Sequence, residues 1–136
     1  MPKSVAVFCG AAPGNDPRFA ASARALGAAL ARSGRRLVYG GGSVGLMGAV
    51  ADGALEHKGE ITGVITRQLV GKELAHRSVA DMRVVETMHE RKMIMAGMAE
   101  AFIALPGGFG TLDELFEILA WAQLRIHAKP VAVLDV

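Results

Sequence analysis

One cysteine, Cys9, is all the thiol that the 136 residues carry. That scarcity excludes an internal disulfide, a cysteine metal cluster and a dithiol redox pair. No apolar stretch approaches the length of a membrane span. The run Val5-Ala6-Val7-Phe8-Cys9 is too short to serve as the core of a secretory signal. Charge of one sign is scarce as well, since 15 Lys and Arg stand against 13 Asp and Glu, leaving +2 at pH 7. An excess so small and so dispersed argues against nucleic acid or a membrane surface as partner. Repeats, linkers and low-complexity tracts are missing, so a single domain over residues 1–136 is expected. The cytoplasm is the expected compartment.

What the sequence has in quantity is glycine, 17 residues, within a composition of 51% hydrophobic and 21% charged residues. This balance describes a packed α/β protein rather than a disordered chain. Val5 to Cys9 read as a first strand, and Asp16-Pro17 opens a helix with an N-cap acid and a proline at the first helical position. Phe19, Ala23, Leu26 and Leu30 line one face of that helix, and Gly34 stops it. Further strands are expected at 35–39, 61–66, 82–86, 101–105 and 129–136. Residues 67–81 read as a loop or a short helix. Thr87-Met88-His89-Glu90 is a capping box that starts a helix reaching Glu100. The alternation of strand and helix predicts a parallel, doubly wound, Rossmann-like α/β sheet.

Two strand-to-helix joints are rich in glycine. The first, residues 40–48, contains Gly40-x-Gly42-x-x-Gly45. That spacing suits dinucleotides, but strand 61–66 ends without the acid such a site requires, so it is not read as an NAD site. Close packing of a helix on the sheet accounts for some of its glycines. The second joint is Pro106-Gly107-Gly108-Phe109-Gly110-Thr111-Leu112-Asp113-Glu114. Its backbone N–H groups and helix N-terminus suit a phosphate. Thr111 and Glu114 also form a capping box, and acids in a first turn suit the helix dipole. Yet Asp113 and Glu114 would repel a phosphate held nearby, which suggests chemistry beside it. Five methionines at 82, 88, 93, 95 and 98 are either adaptable core, a subunit contact or the floor of a pocket for a flat base.

Residues 40–48, Met88-His89-Glu90-Arg91-Lys92 and residues 106–114, in this order and spacing, resemble the LONELY GUY (LOG) family, long labelled as lysine decarboxylases. The resemblance runs from Val7-Phe8-Cys9-Gly10 to Trp121-Ala122-Gln123-Leu124. It implies a cytokinin riboside 5′-monophosphate phosphoribohydrolase, which splits the N-glycosidic bond of AMP or N6-modified AMP into free base and ribose 5-phosphate. It also implies a homodimer and no metal or organic cofactor. The residues it carries over as substrate contacts are Glu73, Arg91, Lys92, Gly108, Phe109, Gly110, Thr111, Leu112, Asp113 and Glu114, with Arg91 and Glu114 catalytic. This sequence has Ala120 where many relatives have threonine, and relatives usually continue past the position of Val136; if the whole protein ended there, one sheet edge would be uncovered.

For that reaction, Glu114 would stabilise the positive charge that builds on the ribose and take a proton from the attacking water. Backbone N–H groups of Gly108 to Thr111 would hold the phosphate, remote from the breaking bond. Arg91 would orient the substrate or Glu114 and offset charge on the departing base, and Lys92 would neutralise phosphate. A non-catalytic nucleotide or phosphate carrier built on the same turns is the alternative. A true decarboxylase would need pyridoxal phosphate on a lysine; Lys92 is available, but no ring-nitrogen partner is evident.

Overall fold

Alternation along the strands decides which side of the sheet each helix covers. In β1 (Ser4–Phe8), Val5 and Val7 point to one face and Ala6 and Phe8 to the other, and all four are buried. Both faces must therefore be covered, as expected of a parallel sheet. The computed structural model describes residues 2–10, 17–105 and 129–133. Its further elements are α1 (Pro17–Arg32), β2 (Arg36–Tyr39), α2 (Gly45–Glu56), β3 (Ile61–Thr66), α3 (Arg67–Leu69), β4 (Asp81–Val85), α4 (Met88–Met98), β5 (Ala101–Ala104) and β6 (Val131–Val133). A π-turn, Val70–Leu74, continues directly from α3.

The sheet has six strands in the order β4-β3-β2-β1-β5-β6, and every pair is parallel. The chain starts in the middle, steps outward to β4, then crosses back through α4 to β5 beside β1. The direction of winding thus reverses between β1 and β5, where Val5 to Phe8 stand opposite Ala101 to Ala104. In open α/β sheets, ligands bind beyond the carboxyl ends of the strands at such a switch point.

One apolar cluster joins Val5, Val7, Leu37 and Tyr39 of the sheet to Ala23 and Leu30 of α1 and to Leu46, Val50, Ala51 and Ala54 of α2. The opposite cluster joins Ala6, Phe8, Val38, Val64 and Phe102 to Met95 and Ala99 of the α4 segment. Each fully buried Val, Leu, Phe or Met among them contributes about 1.5–3 kcal/mol. Phe8 and Phe102 stack across neighbouring strands with ring centroids 6.0 Å apart. Helices α1 and α2 touch backbone to backbone. A Cβ on Gly27 would fall 2.0 Å from the Val50 carbonyl oxygen, and one on Gly53 would fall 2.0 Å from that of Arg24. Arg24 also pairs with Glu56 and approaches Asp52 at 4.0 Å.

Most of the expected elements are found, the short helix within 67–81 among them, with boundaries shifted by one or two residues. Residues 67–74 form a helical turn, started by Thr66 accepting Leu69 N–H, that runs into the π-turn. Strand β4 starts one residue early, at Asp81, whose carboxylate accepts the Thr62 hydroxyl at 2.8 Å. The last strand is described only over Val131–Val133. The methionines divide: Met95 is core, Met82 and Met98 are partly buried against it, and Met88 and Met93 are exposed on α4. Asp16 and the helix expected after residue 114 lie outside the described residues.

Candidate active site

At the carboxyl ends of β1, β2 and β3, the 40–45 loop is tied down from two sides. Gly10 O, just past β1, accepts Met47 N–H at 3.2 Å. From the other side, Ser43 N–H donates to Leu74 O and His76 N–H to Gly41 O, each at 2.9 Å, and Gly42 forms an isolated antiparallel bridge with Ala75. Gly41 has φ of 83°, a left-handed conformation that favours glycine. Beneath the loop, buried Tyr39 donates its hydroxyl to Gly42 O at 2.9 Å. Burial foremost, with Cys9 and Asp52 adding to it, pushes the Tyr39 phenol well above the usual tyrosine range.

The π-turn and the residues after it form a wall beside this loop. A cavity of about 630 Å³ lies between them, bounded by Ser43, Val70, Leu74, Ala75, His76 and Arg77 among others. His76 braces the wall. Its Nδ1 accepts Ser78 N–H at 3.2 Å, which leaves the proton of the neutral ring on Nε2, and Nε2 donates to Asp52 of α2 at 2.8 Å. Sequence reading did not single out His76 or Asp52. They are 24 positions apart, and nothing in either local pattern marks the pair.

Arg91, in the first turn of α4, is 3% exposed. A buried guanidinium is costly unless its donors are met. Its Nε donates to Val64 O at 2.8 Å and its Nη2 to Gly40 O at 2.6 Å, while Nη1 lies 3.7 Å from Met88 Sδ. Arg91 thus joins α4 to the carboxyl end of β2 and to the middle of β3, through charge-assisted hydrogen bonds stronger than neutral ones. The helix start that brings it there is capped by Thr87, whose hydroxyl accepts Glu90 N–H at 3.1 Å. Lys92, partly buried, follows on the adjacent face of α4.

Of the residues expected at the site, Arg91 and Lys92 stand together at the start of α4. The backbone of Glu73 lies in the π-turn that packs on the 40–45 loop; its side chain lies outside the described residues. Gly108, Phe109, Gly110, Thr111, Leu112, Asp113 and Glu114 lie outside them as well. The chain heads toward them from Leu105, whose N–H donates to Phe8 O at 2.9 Å beside the switch point. Among the described residues, no group of three His, Cys, Asp or Glu side chains could hold a metal ion, and no helix is long and apolar enough to cross a membrane.

A parallel sheet wound both ways, with a glycine-rich turn at the carboxyl end of β2, defines a Rossmann-type protein. Residues 47–136 match the family described as "Possible lysine decarboxylase". The chain is 49% identical over 135 residues to the cytokinin riboside 5′-monophosphate phosphoribohydrolase of Rhodococcoides fascians, covering 98% of this chain and 68% of that one. An Arabidopsis thaliana protein of the same name is 48% identical, with 98% of this chain and 62% of that one covered. Among solved structures, the molybdenum cofactor carrier protein of Chlamydomonas reinhardtii superposes with a TM-score of 0.78 at 26% identity, over 96% of this chain and 74% of that one. The chain belongs to the LONELY GUY family. It spans little more than half to two thirds of the length of its curated relatives, from 54% to 68%.

Proposed function

We propose that this chain is a phosphoribohydrolase acting on AMP-type nucleotides, especially N6-modified riboside 5′-monophosphates. Water adds to C1′ of the ribose as the bond from C1′ to the base nitrogen breaks. The water hydroxyl stays on the sugar, and its proton ends on the base, giving free base and ribose 5-phosphate. The 49% identity to the Rhodococcoides fascians enzyme over 98% of the chain carries this reading. In our assignment Glu114 stabilises the cationic ribose and takes the proton of the attacking water. Gly108 to Thr111 hold the phosphate, with Phe109, Leu112, Asp113 and Glu73 completing the contacts. Arg91 acts near the departing base, and Lys92 offsets phosphate charge.

The exposed methionines Met88 and Met93 on α4 support pairing with a second copy of the chain, and our reading is a homodimer. The lone buried thiol of Cys9 suits a reducing compartment, and the cytoplasm is our proposed location. One observation favours a second reading: the molybdenum cofactor carrier protein of Chlamydomonas reinhardtii shares this fold at 26% identity. A carrier would use the same crevice without turnover.

Product analysis separates the two. The chain is incubated with AMP and with isopentenyladenosine monophosphate, and base is resolved from nucleotide by chromatography. Free base from the wild type, lost in Glu114→Gln while AMP still binds, supports the hydrolase. Binding of AMP with no base released by the folded wild type turns the assignment to a carrier.

A further inference from the structure

Gly40 has no backbone reason to be glycine. Its φ is outside the left-handed region that Gly41 occupies, so other residues could adopt its conformation. What a side chain there would meet is Arg91. A Cβ on Gly40 would fall 2.2 Å from Arg91 Nη2. The next nearest atoms, Met47 Cε and Sδ at 3.1 Å, belong to the flexible end of a thioether. The same Nη2 donates to Gly40 O at 2.6 Å, and Nε donates to Val64 O at 2.8 Å. These two nitrogens share one edge of the planar guanidinium. Carbonyls from two neighbouring strands therefore fix both its position and its plane, and they set where Nη1 stands at the opposite end.

We propose that Gly40 is a positioning residue for Arg91. The missing side chain is the seat of the guanidinium, and the carbonyls of Gly40 and Val64 hold the plane in which Arg91 meets the nucleotide. The first glycine of the 40–48 run is then required by an arginine on α4, 51 positions away, and not by a ligand that approaches the turn. The catalytic consequence rests on the phosphoribohydrolase reading; the seat itself does not.

Four proteins test the proposal: wild type, Gly40→Ala, Arg91→Met, and the double variant. Methionine keeps most of the aliphatic stem and places no atom where Nη2 lies. Gly40→Ala lowers the thermal midpoint by about 5 °C or more in the Arg91 protein, as expected of overpacking against a buried, hydrogen-bonded group. In the Arg91→Met background the same change moves the midpoint by less than about 2 °C. Equal shifts in both backgrounds overturn the seat, because the methyl would then be meeting something other than the guanidinium. If Arg91→Met does not fold, Arg91→Lys replaces it, since an ammonium also ends short of Nη2.

The positioning role is read separately. In the base-release assay, Gly40→Ala lowers kcat by about tenfold or more with KM within about threefold, the signature of a misaligned but still binding site. A folded Gly40→Ala protein with wild-type kcat overturns that role. If the wild type releases no base, the proposed activity fails, while the thermal cycle still decides whether Gly40 seats Arg91.

Discussion

Tyr39 is the sole tyrosine of the chain, so its ionisation can be followed without interference from another phenol. It is wholly buried and donates to Gly42 O, and its native pKa is raised, by burial first and then by Cys9 and Asp52. In the unfolded chain it titrates at the ordinary value of 10.0. The sign follows from the neutral form being favoured only when folded. Stability is intact below about pH 10; above it the unfolded state loses a proton that the native state keeps, so stability falls as pH rises. One pH unit above the unfolded value, this linkage removes about 1.4 kcal/mol, with a further loss of similar size for each additional unit until the native phenol titrates. Lysines titrate in the same range, so the comparison is with Tyr39→Phe. That variant lacks the hydrogen bond, worth about 1 kcal/mol, but also lacks the linkage. The stability gap between the two proteins, measured by urea unfolding, should therefore close near pH 11 and invert beyond it. Tyrosinate absorbance should stay absent from the folded wild type at that pH and appear only on unfolding. Tyrosinate developing near pH 10 in a protein whose circular dichroism is unchanged would refute the reasoning.

At the acid end, the Thr62 hydroxyl foremost, then Arg83, holds the Asp81 carboxyl below the usual carboxylate range. Its stabilisation is present above about pH 4 and is lost as pH falls through the lower native value. Asp81→Asn should flatten the acid limb of a stability–pH curve, and cost at most about 1 kcal/mol at neutral pH because the side chain is 40% exposed. Gly53→Ala, which would drive a methyl into the Arg24 carbonyl, should cost about 1–3 kcal/mol in denaturant unfolding. Gly97→Ala is the opposite case: the site is open within α4, and alanine should stabilise by about 0.5–1 kcal/mol. Thr87→Ala removes the cap of α4 and should cost about 1 kcal/mol in the same measurement.

The sheet was legible in the sequence because a strand buried on both faces must be a short apolar run, and β1, β3 and β5 are such runs. The start of α4 was legible because Thr87 and Glu90 stand at capping spacing. The π-turn was not, since what braces it, the Ser43 N–H bond to Leu74 O and the Gly42–Ala75 bridge, comes from the 40–45 loop, which no local pattern announces. Nor was the pairing of His76 with Asp52, a contact of side chains from two separate elements. Arg91 could be named from the motif but not placed. In sequence it reads as a solvated charge at a helix start, and only the carbonyls of Gly40 and Val64 show why it can be buried.

The glycines make the same point about what density of a residue type can mean. Two junctions look alike on the page, yet the first one answers to its own framework. Gly41 supplies a left-handed turn, and Gly40 clears room for a guanidinium. Both hold a loop that also receives Tyr39 from below and the π-turn from the side. The carbonyls of Gly40, Gly41 and Gly42 already accept hydrogen bonds within the protein, from Arg91, His76 and Tyr39. In our proposed assignment, phosphate binding by backbone amides falls to the other junction, which follows β5 in sequence. On this division, the 40–48 loop fixes the arginine and the 106–114 turn receives the anion. Substitutions in the first should then damage turnover and stability together, whereas those at Gly108 to Thr111 should damage nucleotide binding first.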